Sequence, residues 1–160
     1  LGTGEGRDAL YLAKNGFEVI GVDNSNLSLD KLRERIKKQK LKLEIINSSI
    51  ENFSFNEKYN AIFCLNVLHF LKKEDILKVI NLMKDNTFIN GINVIKVFTI
   101  NDPGYKRKHN IISYFKEEEL KLNYSDWKII HYNEYMTPLE KHGLEEWHSH
   151  TIAEIIALKV

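Results

Sequence analysis

Glycine occupies alternate positions at the start of the chain, in the stretch Leu1-Gly2-Thr3-Gly4-Glu5-Gly6. Because glycine has no Cβ, such a loop can turn tightly and bring its backbone close to a ligand. Good helix formers follow at residues 7–14, and a β-rich run at residues 17–22 then ends in Asp23, 21 positions after Gly2. This order of loop, helix, strand and acid is typical of the nucleotide-binding half of a doubly wound sheet, where the carboxylate accepts hydrogen bonds from a ribose.

The glycine spacing distinguishes two classes of cofactor that use this arrangement. A dinucleotide site has the pattern G-x-G-x-x-G, in which the third glycine lets the helix dock and leaves its N-terminus open to the pyrophosphate. In this chain the third position is Arg7, and the pattern is G-x-G-x-G. The spacing therefore disfavours the alternative that the chain is the NAD-binding half of a dehydrogenase.

The glycine loop and the segment Gly21-Val22-Asp23-Asn24-Ser25 together resemble the first two motifs of class I S-adenosylmethionine-dependent methyltransferases. Residues 114–120, 126–129 and 148–157 resemble the tellurite-resistance methyltransferases of the TehB type. This resemblance implies an α/β fold, the Rossmann-like class I methyltransferase sandwich, with a mostly parallel sheet and an antiparallel last strand. It also implies S-adenosyl-L-methionine as cofactor and a small methyl acceptor, such as a thiol or a metalloid oxyanion like tellurite.

The resemblance further implies a set of cofactor-binding positions. We expect the glycines to meet the amino-acid end and the ribose, Asp23 to hold the ribose hydroxyls, and Leu65 and Asn66 to hold the methionyl amine. Asn47 stands where the family often has an acid that accepts from the adenine amine; its carbonyl can accept the same bond, and an ordinary turn is the alternative. Arg7 either steadies the cofactor carboxylate or faces solvent. The full set is Gly2, Thr3, Gly4, Gly6, Arg7, Asp23, Asn24, Asn47, Ser48, Leu65 and Asn66.

Three histidines, His69, His148 and His150, are the candidates for the catalytic side of the pocket. In an extended chain His148 and His150 lie on one face, where they could bind an anion or accept a proton near neutral pH. A His-x-His pair can also be half of a metal site, which His142, Glu145 or Glu146 would complete. Without a third ligand at a diagnostic spacing, the sequence favours pocket histidines over a metal, and a purely structural role stays open.

Helices and strands alternate along the rest of the chain. The spacing of apolar residues predicts helices over residues 7–14, 73–86 and 115–123. It predicts a further helix that starts at the capping side chains of residues 25–28 and ends at about residue 39. It predicts strands at residues 17–23, 43–47, 59–65, 91–99, 127–132 and 151–158. The continuously apolar run at 59–65 predicts a central parallel strand covered on both faces. Because the chain starts inside the glycine loop, we expect the first central strand to be truncated and residues 1–160 to be an incomplete single domain.

Composition narrows the classes of partner. The chain has 160 residues, with 23 Lys and Arg against 22 Asp and Glu, so its net charge of +1 provides no field that would recruit nucleic acid or an anionic membrane. The single cysteine excludes an internal disulfide, and no apolar run reaches the ~18 residues of a membrane span. We expect a cytoplasmic monomer or homodimer with a small-molecule partner. A non-catalytic S-adenosylmethionine-binding module or an inactive fragment is the alternative, favoured by Asn47 and by the truncated strand.

Overall fold

The computed structural model describes residues 1–105, 111–141 and 147–160. The chain forms two compact units, residues 1–54 and 55–160. The single domain expected from the sequence stays a prediction. No helix in the described ranges is long and apolar enough to cross a bilayer.

The first unit contains two helices and a two-stranded parallel sheet. Its elements are α1 (Arg7–Lys14), β1 (Ile20–Asp23), α2 (Asn26–Gln39) and β2 (Glu44–Asn47). Ser25 caps α2, because its Oγ accepts a hydrogen bond from the Ser28 N–H at 3.3 Å. In the sheet Asp23 is in register with Asn47, so the carboxyl ends of both strands lie at the same edge. Helix faces and strands share one apolar cluster, whose buried members are Leu10, Leu29 and Leu32.

The second unit contains a four-stranded mixed sheet. Its elements are β3 (Tyr59–Leu65), a 3-10 turn (Leu68–Phe70), α3 (Lys73–Asp85), β4 (Thr87–Phe98), α4 (Glu119–Leu122), β5 (Lys128–Met136) and β6 (Thr151–Leu158). The strand order is β3-β4-β6-β5. β3 is parallel to β4, whereas β6 runs antiparallel to both β4 and β5. The antiparallel last strand expected from the family resemblance is therefore confirmed.

Two local predictions in this unit are wrong. β3 lies at the end of its sheet and pairs with β4 alone among the described strands, and only Ile62 and Cys64 on one of its faces are buried. The helix expected over residues 115–123 is limited to Glu119–Leu122. Phe115 is instead extended, because its N–H donates to the Phe98 carbonyl at 3.0 Å and its side chain is fully buried. Glu118 then has a left-handed φ of 56°, which interrupts any helix that starts earlier.

Candidate functional site

All three glycines of the loop have left-handed backbone conformations, with φ of 66° at Gly2, 54° at Gly4 and 83° at Gly6. Residues with a Cβ rarely adopt such conformations. The loop is tied to β1, because the Thr3 N–H donates to the Val22 carbonyl at 2.9 Å. It closes on itself through the Gly6 N–H and the Thr3 carbonyl, also at 2.9 Å. The alternating glycines are thus required by the backbone of the loop itself.

Gly4 and Gly6 differ in what surrounds the missing side chain. A Cβ added to Gly4 would meet no atom within 4 Å, so this part of the loop borders open space. A Cβ added to Gly6 would lie 2.2 Å from Cδ1 of Leu32, which is fully buried in α2. The missing side chain of Gly6 therefore makes room for Leu32, a role that the sequence did not predict, and contact of Gly6 with a cofactor stays a prediction. Gly4 is the position at which a ligand could approach the backbone.

The Asp23 carboxylate points at the glycine loop. Its Oδ2 accepts the Gly4 N–H at 2.7 Å, and its Oδ1 accepts the Ser25 N–H at 2.9 Å. Asp23 therefore orders both the loop and the start of α2, a role that the sequence did not predict. Each carboxylate oxygen can accept a further hydrogen bond, so the group keeps the capacity to bind a diol.

Glu5 at the tip of the loop is held by two cations of α2. Its carboxylate lies 2.6 Å from Lys31 Nζ and 2.5 Å from Arg35 Nη2, and Arg35 Nη1 also donates to the Glu5 carbonyl at 3.1 Å. The hydrogen bond from Lys31, assisted by the charge of both cations, lowers the pKa of Glu5 below its ordinary value. Exposed ion pairs of this kind add little to stability, but here they fix the tip of the loop to the helix.

Arg7 and Asn24 are both exposed. The side chain of Arg7 is 85% exposed, and its Nε and Nη2 donate to the two oxygens of Asp8 at 2.9 and 3.1 Å. Of the two alternatives for Arg7, the structure therefore favours the solvent-facing one. Asn24 follows Asp23 on the surface, and its contact with a cofactor stays a prediction.

Asn47 and Ser48 end β2 beside Asp23. The Asn47 amide donates through Nδ2 to Asn26 Oδ1 at 2.6 Å, which leaves its own Oδ1 as the acceptor. The Ser48 N–H donates to the Asp23 carbonyl at 3.0 Å and continues the parallel ladder. The Ser48 N–H is therefore already used within the sheet, and cofactor binding by Ser48 stays a prediction.

Leu65 and Asn66 lie in the second unit, at the carboxyl end of β3. The Asn66 N–H donates to the Lys96 carbonyl at 2.9 Å, and its φ of 59° turns the chain sharply after the strand. Asparagine is one of the few non-glycine residues that adopt this conformation readily. Its side chain is exposed. The binding of the methionyl amine by these two residues stays a prediction.

The three predicted catalytic histidines cluster around Phe98, the last residue of β4. The Phe98 ring stacks on His69 at 4.1 Å and on His150 at 4.3 Å between centroids. The ring of His148 contacts that of His150 edge-on at 5.1 Å. The structure therefore brings together residues that are 79 and 81 positions apart in the sequence, counted from His69 to His148 and to His150.

Two acidic residues that sequence analysis missed complete this cluster. Asp102 is 4% exposed, and its Oδ2 lies 2.9 Å from His150 Nδ1 and accepts the Thr151 N–H at 2.9 Å. Glu140 pairs with His148 through two backbone hydrogen bonds of 2.7 and 3.0 Å. The sequence offered no signal for Glu140. Asp102 lies in an Asn-Asp-Pro-Gly segment, which predicts a turn and not a functional site. His142, Glu145 and Glu146, the predicted additional ligands, lie outside the described residues.

His69 is 1% exposed, and burial lowers its pKa to about 4, with a further contribution from the charge of His150. Its Nδ1 has no hydrogen-bond partner in the described part of the chain. His69 is therefore neutral at pH 7. It packs against the Phe98 ring without carrying a charge.

Acid is expected to destabilise the protein through His69. Its native pKa of about 4 lies below the unfolded value of about 6.5, so the unfolded state takes up the proton first. Its contribution is fully present above pH 6.5 and falls by about 2–3 kcal/mol as the pH approaches 4. Urea unfolding between pH 7 and 4 measures this loss. In His69→Phe the loss should shrink, whereas His131→Ala, which removes an exposed histidine, should keep it; equal losses in both variants would contradict the assignment.

The fold and the loop define the class of protein. A glycine loop bonded to an acid at the end of the next strand, with a mixed sheet whose last strand is antiparallel, is the fold of the class I methyltransferases. The chain belongs to the family described as "Tellurite resistance protein TehB", whose profile matches residues 1–147.

Individual relatives agree with this assignment. The chain is 33% identical over 142 residues to the "Probable S-adenosyl-L-methionine-dependent methyltransferase TehB" of Haemophilus influenzae, covering 88% of this chain and 49% of that protein. The crystal structure of TehB from Haemophilus influenzae superposes with a TM-score of 0.89 at 30% identity, covering 99% of this chain and 56% of that one. The chain spans about half the length of the curated TehB relatives it matches.

A more distant structure shares the fold alone. Magnesium protoporphyrin IX methyltransferase from Synechocystis, crystallised with bound SAH, superposes with a TM-score of 0.75 at 16% identity. The superposition covers 99% of this chain and 72% of the Synechocystis chain.

Proposed function

We propose that this chain carries the cofactor site and acceptor-side histidines of an S-adenosylmethionine-dependent methyltransferase that acts on a small molecule. The observation that carries the proposal is the Asp23 carboxylate, bonded to the Gly4 N–H at 2.7 Å beside a backbone position with open space. The matching relatives named as methyltransferases support the same activity. A cytoplasmic location is part of this proposal.

The residues of the first unit fit an adenosyl group. A ribose presents two hydroxyl donors, and the Asp23 oxygens can accept both in addition to their backbone bonds. An adenine amine needs an acceptor. Asn47 bonds Asn26 through its Nδ2, so its Oδ1 is the atom that could accept from the amine. Gly4 allows close approach, because no protein atom lies within 4 Å of its absent Cβ. The acceptors present therefore match the ribose hydroxyls and the adenine amine of the nucleoside.

When bound, S-adenosylmethionine supplies a methyl group that is already activated by a sulfonium leaving group. The protein's task is then to hold the acceptor in line and to exclude water. Little acid–base chemistry is needed for an acceptor that arrives ionised, such as a thiolate or a tellurite-like oxyanion. For a protonated acceptor, His150 is suited to receive the proton, because Asp102 at its Nδ1 leaves Nε2 as the basic atom.

Ligand binding distinguishes this proposal from the dehydrogenase alternative. In isothermal titration of the full-length protein, S-adenosylhomocysteine is expected to bind at least about 100-fold more tightly than NADH, a difference of about 2.7 kcal/mol. Asp8→Ala is the control variant and should leave both affinities unchanged. Asp8 lies next to the loop, but among the side chains described it bonds only Arg7, on the outside of the loop. Equal affinities for the two ligands would contradict the proposal. S-adenosylhomocysteine binding without methyl transfer to thiols or tellurite would favour the non-catalytic module.

A further inference from the structure

The ligating atoms of Glu140, His148 and His150 lie within 4.8 Å of one another. In a tetrahedral zinc site with bonds of about 2.0–2.1 Å, neighbouring ligand atoms are about 3.3 Å apart. Glu140 Oε1 and His150 Nε2 are 3.9 Å apart, which is too long for a hydrogen bond and close to the separation of two ligands. Side-chain movements of about an ångström would bring the three atoms onto one ion.

The backbone around these ligands is already fixed. Glu140 and His148 face each other across two backbone hydrogen bonds of 2.7 and 3.0 Å. His150 is anchored in the same way, because its carbonyl accepts the Thr137 N–H at 2.7 Å and its own N–H donates to Thr137 Oγ1 at 2.9 Å. All three ligands are half-buried, so an ion can reach them from solvent. Preorganised ligands lower the entropy cost of binding.

Asp102 orients His150 as metal sites require. A metal-binding histidine usually donates its second ring N–H to a carboxylate, which fixes the tautomer and makes the ligating nitrogen more basic. Asp102 Oδ2 lies 2.9 Å from His150 Nδ1, and the aspartate is itself held by the N–H groups of Thr151 and Gly104 at 2.9 and 2.6 Å. The nitrogen left for the metal is Nε2, the atom that faces Glu140.

We propose that Glu140, His148 and His150 bind a zinc-type divalent metal ion, with a fourth position open to an anionic ligand. Two imidazoles and one carboxylate favour Zn²⁺ or Co²⁺ over Mg²⁺ and Ca²⁺, which take oxygen ligands. Three protein ligands are the arrangement of sites that keep a position for water or substrate. Sequence analysis lacked the third ligand and favoured pocket histidines; Glu140 supplies it. The metal site does not depend on the proposed function, but its use by a thiolate or oxyanion methyl acceptor does. With the ion bound, His150 Nε2 is a ligand and no longer receives a proton, so the metal-bound form serves acceptors that arrive ionised.

Cobalt titration tests the site without any measurement of activity. Full-length, tag-free protein is treated with a chelator and titrated with Co²⁺, and the visible d–d absorption is expected to saturate at one ion per chain. Competition between Zn²⁺ and a chromophoric chelator gives the affinity. His148→Ala and Glu140→Ala should each weaken Zn²⁺ binding by about 100-fold or more, and Asp102→Asn by about 10–100-fold. His131→Ala is the matched control, because it removes an exposed histidine outside the cluster and should leave the affinity unchanged.

The open position has its own signature. Adding 2-mercaptoethanol to the Co²⁺ form should produce a sulfur-to-cobalt charge-transfer band, and its absence would overturn the open fourth position. Failure to bind one equivalent of metal, or equal affinity in wild type and His148→Ala with circular dichroism unchanged, would overturn the site itself. Binding of S-adenosylhomocysteine is measured on the same samples. Loss of that binding with metal retained would reject the proposed function alone, whereas the reverse would reject only the metal.

Discussion

Gly6→Ala is expected to lower the free energy of unfolding by about 2–5 kcal/mol. The left-handed φ of 83° accounts for about 1–2 kcal/mol with any L side chain. The new methyl would also lie 2.2 Å from Leu32 Cδ1. Leu32 is fully buried in the cluster with Leu10 and Leu29, so it has little room to move, and overpacking of this kind costs about 1–3 kcal/mol. Urea unfolding followed by circular dichroism measures the change.

Gly4→Ala is the matched control for this prediction. Its φ of 54° imposes the same kind of left-handed strain, but its Cβ would meet nothing within 4 Å. We expect a smaller loss of stability, about 1–2 kcal/mol. The methyl would instead enter the space proposed for the cofactor, so S-adenosylhomocysteine affinity should fall by at least about tenfold. Equal losses of stability in the two variants would show that Leu32 does not explain Gly6.

Local sequence signals predicted much of the fold. The bounds of α1 and the end of α2 follow from helix-forming runs, and the Ser25 cap lies where its side chain can bond the Ser28 N–H. The proximity of Asp23 to the glycine loop follows from the loop–helix–strand order, which brings the carboxyl end of β1 to the loop. These features depend on residues close together in the chain or on a recurrent supersecondary unit. Periodicity and spacing therefore contain enough information to predict them.

The features that were missed depend on contacts between distant residues. Leu32 occupies the space beside Gly6 from 26 positions away, and Asp102 meets His150 from 48 positions away. Phe115 leaves the helical pattern because a backbone partner, Phe98, and a buried position compensate for the lost helix. No residue type or spacing identifies such pairings. Glu140 became a candidate ligand only when the backbone placed it opposite His148.

Asp23→Ala is expected to weaken S-adenosylhomocysteine binding by about 2–4 kcal/mol, or roughly 30- to 1,000-fold. One part is the loss of a charged acceptor for the ribose, since a hydrogen bond to a charged group contributes about 1.5–3 kcal/mol. The other part is indirect, because the same carboxylate accepts the Gly4 and Ser25 N–H groups at 2.7 and 2.9 Å. Without it the glycine loop loses the acceptor that holds it in its left-handed conformation. Isothermal titration measures both parts together.

Asp23→Asn separates the two parts. Its carbonyl oxygen can still accept one backbone N–H, but its amide can no longer accept from a second, and its negative charge is gone. If ordering of the loop dominates, binding to Asp23→Asn should fall between that of wild type and Asp23→Ala, and the enthalpy of binding should change along with the affinity. If the interaction of the Asp23 charge with the ribose hydroxyls dominates, the two variants should bind S-adenosylhomocysteine equally weakly. An affinity for S-adenosylhomocysteine that is unchanged in both variants would place the ribose elsewhere.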